Sequence, residues 1–139
     1  VTVRIERVDP GRHRAAFARL DRVCGFEACE PVSRGALWWA ALDGRDVVAY
    51  AAAVIVPRDV VYLARCGVLP AYRGAGVQRR MIAVRKRVAR REAALDAVTY
   101  TLRDNLASAN NLIAAGFRLY TPAYAWAGRD VLYWMFRVR

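Results

Sequence analysis

The sequence predicts an α+β fold, a sandwich-like arrangement in which a mixed sheet of seven strands is flanked by helices. Three observations predict it. Between Ala36 and Val68, three apolar stretches are joined by short turns, as in an antiparallel meander. From Val77 the apolar residues recur at helical spacing instead. Beyond Ala97, strand-like stretches return on either side of a segment with helix start and stop signals.

The elements follow in order. Val1–Val8 begins Val-Thr-Val-Arg-Ile-Glu, which alternates as a strand does. Asp9-Pro10-Gly11 is a turn with a helix start, and Arg14–Val23 continues it as a helix. Gly25 through Gly35 is polar and broken by Pro31, so it is a loop or a short second helix. Ala36–Leu42 is a strand that sends Trp38 and Trp39 to opposite faces. Asp43-Gly44-Arg45-Asp46 is a hairpin turn into Val47–Val56, and Pro57-Arg58-Asp59 turns again into Val60–Val68. Val77, Met81, Ile82, Val84 and Val88 form the apolar stripe of a long helix whose other faces are basic. Ala97–Leu102 is a strand, a helix runs from Asn105 to the stop glycine Gly116, and Phe117–Tyr120 and Val131–Val138 are the last strands. The order β-α-(α)-βββ-α-β-α-β-β, without repeat or linker, reads as one domain over residues 1–139.

Composition narrows the function classes. Apolar residues make up 57% of the 139-residue chain, enough for a packed core. No apolar run reaches the length of a membrane span, and the opening residues lack a basic-then-apolar leader pattern, so a cytoplasmic protein is expected. Cys24, Cys29 and Cys66 form no CxxC pair, and with His13 as the only histidine no zinc set is credible; no metal is expected. The net charge of +11 implies an acidic partner, and its placement is informative. No Asp or Glu occurs from Val60 through Arg91, a window holding Arg65, Arg73, Arg79, Arg80, Arg85, Lys86, Arg87, Arg90 and Arg91.

That window also holds Arg73-Gly74-Ala75-Gly76-Val77-Gln78-Arg79, a glycine loop between a strand and a helix. A helix start leaves about four N–H groups unpaired and carries roughly half a positive charge. Glycines let an anion approach those groups. No Ser, Thr, Asp or Asn stands there to cap the helix, and Arg79 and Arg80 occupy a first turn that the dipole would fill with acids. An external anion resolves that inconsistency. A surface turn before a solvated basic helix is the plainer alternative. A Rossmann fingerprint would need glycine at Arg79, and a P-loop would need Gly-Lys-Ser/Thr.

The loop resembles the Q/R-x-x-G-x-G/A signature of the GNAT N-acyltransferase superfamily, with Arg73, Gly76 and Gln78 on its defined positions. Gln78 departs from the usual Gly or Ala. The preceding Val68-x-Pro70, the later Asn105-x-x-Ser108 and Gly116-Phe117, and the element order are similar to that family too. The resemblance implies acetyl-CoA as co-substrate and an amine as acceptor. It implies that Arg73, Gly74, Ala75, Gly76, Val77, Gln78 and Arg79 hold the pyrophosphate, and that Cys66 and Val68 supply backbone groups to the acetyl and pantetheine. Asn105, Ser108 and Asn111 would lie along the cofactor arm, although Asn105 also reads as a helix N-cap.

Proton transfer is where the chain leaves the family pattern. The fourth strand carries no carboxylate between Val60 and Val68, and Leu112 stands where the family often has a tyrosine acid. Tyr120 and Tyr124 are the candidate acids for the departing thiolate, and water or Glu27 or Glu30 the candidate bases. Candidate acceptor-binding residues are Glu27, Glu30, Trp38 and Trp126. Two other function classes compete: a non-catalytic acyl-CoA-binding module of the same fold, and a basic nucleic-acid-binding protein. Specific nucleic-acid binding is not expected, since no helix-turn-helix, zinc finger or RNA-binding aromatic motif occurs. The apolar strand Val131–Val138 would support a homodimer if it lay at an open sheet edge.

Overall fold

In the computed structural model, which describes residues 2–26, 35–57 and 59–139, every strand expected from the sequence forms. The strands are β1 (Arg4–Val8), β2 (Leu37–Asp43), β3 (Asp46–Val56), β4 (Val60–Val68), β5 (Asp96–Leu102), β6 (Arg118–Leu119) and β7 (Val131–Arg137). The helices are α1 (Arg14–Cys24), α2 (Val77–Arg91) and α3 (Leu106–Ala114), with 3₁₀ turns at Pro10–His13 and Pro70–Tyr72. The expected second helix or loop falls mostly on residues outside the described set, as do Glu27, Cys29, Glu30 and Arg58. The strands form one mixed sheet in the order β1-β2-β3-β4-β5-β7-β6. β4 and β5 are parallel, and the other described pairs are antiparallel. Packing divides the chain into two compact units, Val1–Val54 with Ala64–Met81, and Ile55–Leu63 with Ile82–Arg139.

In the first unit, α1 turns Phe17 and Leu20 onto Ala40, Leu42 and Tyr50. Phe17 stacks on Tyr50 with ring centres 4.8 Å apart, and Trp38 lies 5.6 Å from Phe17, so Trp38 joins this core. The helix ends as a left-handed glycine end should. Gly25 sits at φ 72°, and the Phe26 N–H reaches back to the Asp21 carbonyl at 2.9 Å. The β2–β3 hairpin closes through Gly44 and Arg45, with Gly44 at φ 60° and Asp43 opposite Asp46. The register slips between Ala41 and Leu42, a bulge. Nearby, the Val48 carbonyl takes the Leu69 N–H at 2.9 Å. That bond ties the exit of β4 to β3.

In the second unit, β5 and β7 pair from Asp96↔Arg137 to Leu102↔Val131. β6 adds Arg118↔Met135 and Leu119↔Trp134. β7 is therefore an interior strand, and the sheet ends on the two-residue β6. The strand expected as an open apolar edge at Val131–Val138 is thus flanked on both sides at Trp134 and Met135. Asn105 caps α3 by accepting the Ser108 N–H at 3.2 Å. Gly116, at φ 92°, follows the helix end. Lys86 completes that end, its ammonium donating to the Ala115 carbonyl at 2.6 Å and lying 4.1 Å above the Phe136 ring. Replacing Asn105 by alanine should cost about 1 kcal/mol of stability through the lost cap, visible as a shifted midpoint in chemical denaturation.

Candidate functional site

The glycine loop has the geometry its sequence implies. Gly74 and Gly76 both sit at φ 79°, where an L side chain is strained. A Cβ added at either glycine would meet nothing within 4 Å. The loop backbone is thus open to an approaching group, and these glycines serve conformation and access rather than internal packing. Residues 73–76 are exposed, and Val77 then turns inward at 2% exposure. The α2 ladder begins with the Arg80 N–H donating to the Gly76 carbonyl at 3.1 Å. Gly76 and Val77 thus lie at the N-terminal end of α2, the end of a helix that favours anions.

Several cations of the basic segment already have partners. Arg73 donates its amide to the Pro70 carbonyl at 3.2 Å and its Nε to the Val68 carbonyl at 3.0 Å. Its Nη2 reaches the Cys24 sulfur at 3.7 Å. Arg80 spans from the first turn of α2 to the Val3 carbonyl at 2.7 Å. Arg65 pairs with Asp21 at 3.7 Å. Part of the charge read as a phosphate-attracting surface therefore holds the loop and β4 in shape. Tyr72 adds a further tie, donating to Asp43 at 2.5 Å, and that hydrogen bond raises its pKa.

Beside the end of β4 lies a constellation that sequence reasoning missed. The buried Tyr50 hydroxyl donates to the Asp21 carboxylate, which also faces Arg65. Burial first, and then the Asp21 hydrogen bond, raise the Tyr50 pKa far above its ordinary value. Gly67 lies flush against this group. A Cβ there would stand 2.9 Å from Tyr50 Cε1, 3.2 Å from Phe26 Cε2 and 3.3 Å from Cys24 Sγ. The Cys24 thiol donates to the Val68 carbonyl at 3.6 Å. The available signal was Gly67 itself, since a glycine inside a strand often marks close approach. The partners, distant in sequence, gave none. Cys66, at half-buried exposure, sits in β4 beside Gly67.

The second unit holds the remaining candidates. The Trp126 ring meets Tyr62, Tyr100 and Tyr133 edge-on at 5.3, 5.7 and 5.1 Å. Tyr133 pins the irregular stretch around it, donating to the Gly128 carbonyl at 2.6 Å and accepting the Ala127 N–H at 3.0 Å. Tyr120 is half-buried next to Tyr133. Burial raises its pKa, and a hydrogen bond with Trp126 partly opposes this. Tyr124 is 74% exposed. Asn105 and Ser108 are joined by the cap, and Asn111 follows on α3 at half-buried exposure. Glu27 and Glu30 lie outside the described residues. Among the described residues, no group of His, Cys, Asp and Glu is placed to hold a metal ion, and no helix is long and apolar enough to cross a membrane.

Comparison with known proteins extends this picture. The sequence model of the acetyltransferase (GNAT) family matches residues 5–117. No match is found among curated protein sequences. The fold is similar to a GNAT-family acetyltransferase of Staphylococcus aureus, 9% identical with a TM-score of 0.80 over 99% of this chain and 100% of that one. It is similar to a Salmonella typhimurium protein solved with its cofactor acetyl-CoA, 18% identical with a TM-score of 0.76 over 100% and 95% of the two chains. It is also similar to an N-acetyltransferase of Thermoplasma acidophilum in complex with coenzyme A, 10% identical with a TM-score of 0.79 over 99% of each chain.

Proposed function

Because the chain belongs to the acetyltransferase (GNAT) family, matched over residues 5–117, we propose that it transfers an acetyl group from acetyl-CoA directly to a primary amine of a small molecule or protein. The observation that carries this reading is the exposed Gly74–Gly76 loop, both glycines at φ 79°, leading directly into α2 at Val77. The family match runs through both compact units, which supports reading residues 1–139 as one acyltransferase domain.

Acetyl-CoA would supply an activated thioester. The chain's own residues would bind it, orient it and move protons. The amides of Gly76, Val77, Gln78 and Arg79 would receive the pyrophosphate, with Gly74 and Ala75 shaping the approach. Arg73, already committed to Val68 and Cys24, would hold the loop to β4. Backbone groups of Cys66 and Val68 would align the acyl end, a preorganised polar contact at the reacting carbonyl. Asn105, Ser108 and Asn111 would flank the pantetheine arm.

Between the two candidate acids, Tyr120 has the better surroundings. It is half-buried and held by Trp126, and its raised pKa keeps the hydroxyl protonated through neutral pH, as a proton donor to a thiolate requires. Tyr124 stands largely in solvent. Trp126, together with Tyr62 and Tyr100, would line the acceptor end. Tyr120→Phe should lower kcat about a hundredfold or more and remove the alkaline limb of its pH profile. Tyr124→Phe should leave both in place. An unchanged kcat in Tyr120→Phe would take the proton-donor role away from it.

Calorimetric titration tests the binding step, with one saturating equivalent of acetyl-CoA expected. No saturable binding would overturn the reading. Thiol release with a panel of amines tests the transfer, and tight binding without release for any amine would leave a non-catalytic acyl-CoA-binding module.

A further inference from the structure

A second cationic feature lies away from the glycine loop. The 3₁₀ turn, α1 and the β2–β3 hairpin border an open cleft of about 330 Å³. Arg12, His13, Arg19 and Arg45 line it, with Asp46 as the one carboxylate. Ala15 and Ala16 leave room along the helix face, and Val47 and Leu69 supply apolar wall. The volume falls within the range of small-ligand sites.

The three arginines are exposed. Among the described residues, none of their guanidinium groups has an ion-pair partner. This contrasts with Arg65, Arg73 and Arg80, whose side chains are engaged within the protein. The His13 ring is held in place by stacking on Phe17 at 5.9 Å. Three guanidinium groups facing one carboxylate leave a surplus near that of a phosphate monoester, which carries about −1.5 to −2 at neutral pH. Planar guanidinium forks suit phosphate oxygens, and the apolar wall suits the group that bears them.

We propose that this cleft binds a phosphate monoester carried on a small apolar body, at a site separate from the acyl-donor loop. The wall residue Leu69 also begins the path into the glycine loop, its N–H held by the Val48 carbonyl. The two sites are thus neighbours along the chain with different residues exposed to their ligands.

The test is calorimetric titration of the full chain with phenyl phosphate at about 0.15 M salt, which screens loose surface attraction. It is run with and without saturating acetyl-CoA, with benzoate as the singly charged control. One equivalent should bind in both conditions, and benzoate should bind at least about tenfold more weakly. Arg19→Gln/Arg45→Gln should weaken phenyl phosphate at least about tenfold while acetyl-CoA affinity stays within about twofold. Several weak equivalents, displacement by acetyl-CoA, benzoate binding as well as phenyl phosphate, or full affinity in the double variant would each overturn the proposal. If acetyl-CoA does not bind at all, the arm without it still decides the matter, so the two readings fail separately.

Discussion

Gly76→Val should weaken acetyl-CoA at least about a hundredfold while leaving a folded protein. Two effects combine. Gly76 sits at φ 79°, and a β-branched residue is a strong outlier there. Holding a non-glycine residue in left-handed backbone costs about 1–2 kcal/mol, so the loop will move to relieve it. The added side chain meets nothing in the protein within 4 Å of its Cβ, so it projects into the space that a phosphate would need. Losing two hydrogen bonds to a charged phosphate, each worth about 1.5–3 kcal/mol, gives at least about a hundredfold in affinity. The thermal midpoint should fall by only about 3–8 °C. Calorimetry and a melting curve on one sample separate the two effects. Wild-type affinity in the variant would show that the loop amides do not carry the ligand.

The second large effect concerns stability. Asp21→Ala leaves the Tyr50 hydroxyl, in a residue 1% exposed, without its acceptor, and leaves Arg65 without its carboxylate. An unsatisfied buried polar group costs about 1–3 kcal/mol, so denaturant midpoints should drop clearly. Tyr50→Phe removes the donor, and the double variant Asp21→Ala/Tyr50→Phe should be less damaged than the two single losses added together. The expected coupling is about 0.5–3 kcal/mol, and additive losses would deny that the pair acts as a unit.

Alkali gives an independent readout. Tyr50's pKa is raised in the folded protein, so its contribution is fully present below its ordinary value of 10.0 and is lost as pH rises above it. The slope is about 1.4 kcal/mol per pH unit. Tyr72 and Tyr120 shift in the same direction and Lys86 in the opposite one, so the slope to read is wild type minus Tyr50→Phe. Equal alkaline slopes in the two proteins would contradict the assignment.

Much of the fold was legible because it is written in local periodicity. β4 begins and ends at Val60 and Val68 as its apolar run implies, and α2 starts at Val77, where the spacing changes. The hairpin at Gly44-Arg45 and the Asn105 cap follow from turn and cap chemistry within four residues. What was illegible depends on distant partners. Tyr50 and Asp21 lie 29 positions apart, and Cys24 and Val68 lie 44 apart. Nothing in either local stretch announces the other. The arginines show the same limit, since charge along the sequence reads Arg73, Arg80 and Arg87 alike. Only packing shows that the first two end on the Val68 and Val3 carbonyls. The glycine loop was readable because backbone conformation, not a remote contact, demands its residues.

The arginine-rich surface also changes what can be learned by chemical labelling. Lys86 is the chain's single lysine, and its ammonium is spent on the Ala115 carbonyl above the Phe136 ring. Guanidinium groups stay protonated and unreactive where a lysine amine would capture an acyl group. Toward a reactive thioester the chain thus presents a single side-chain amine of its own. An amine-directed reagent aimed at its side chains would report on one contact, the end of α3, and modification there would register the opening of that helix terminus.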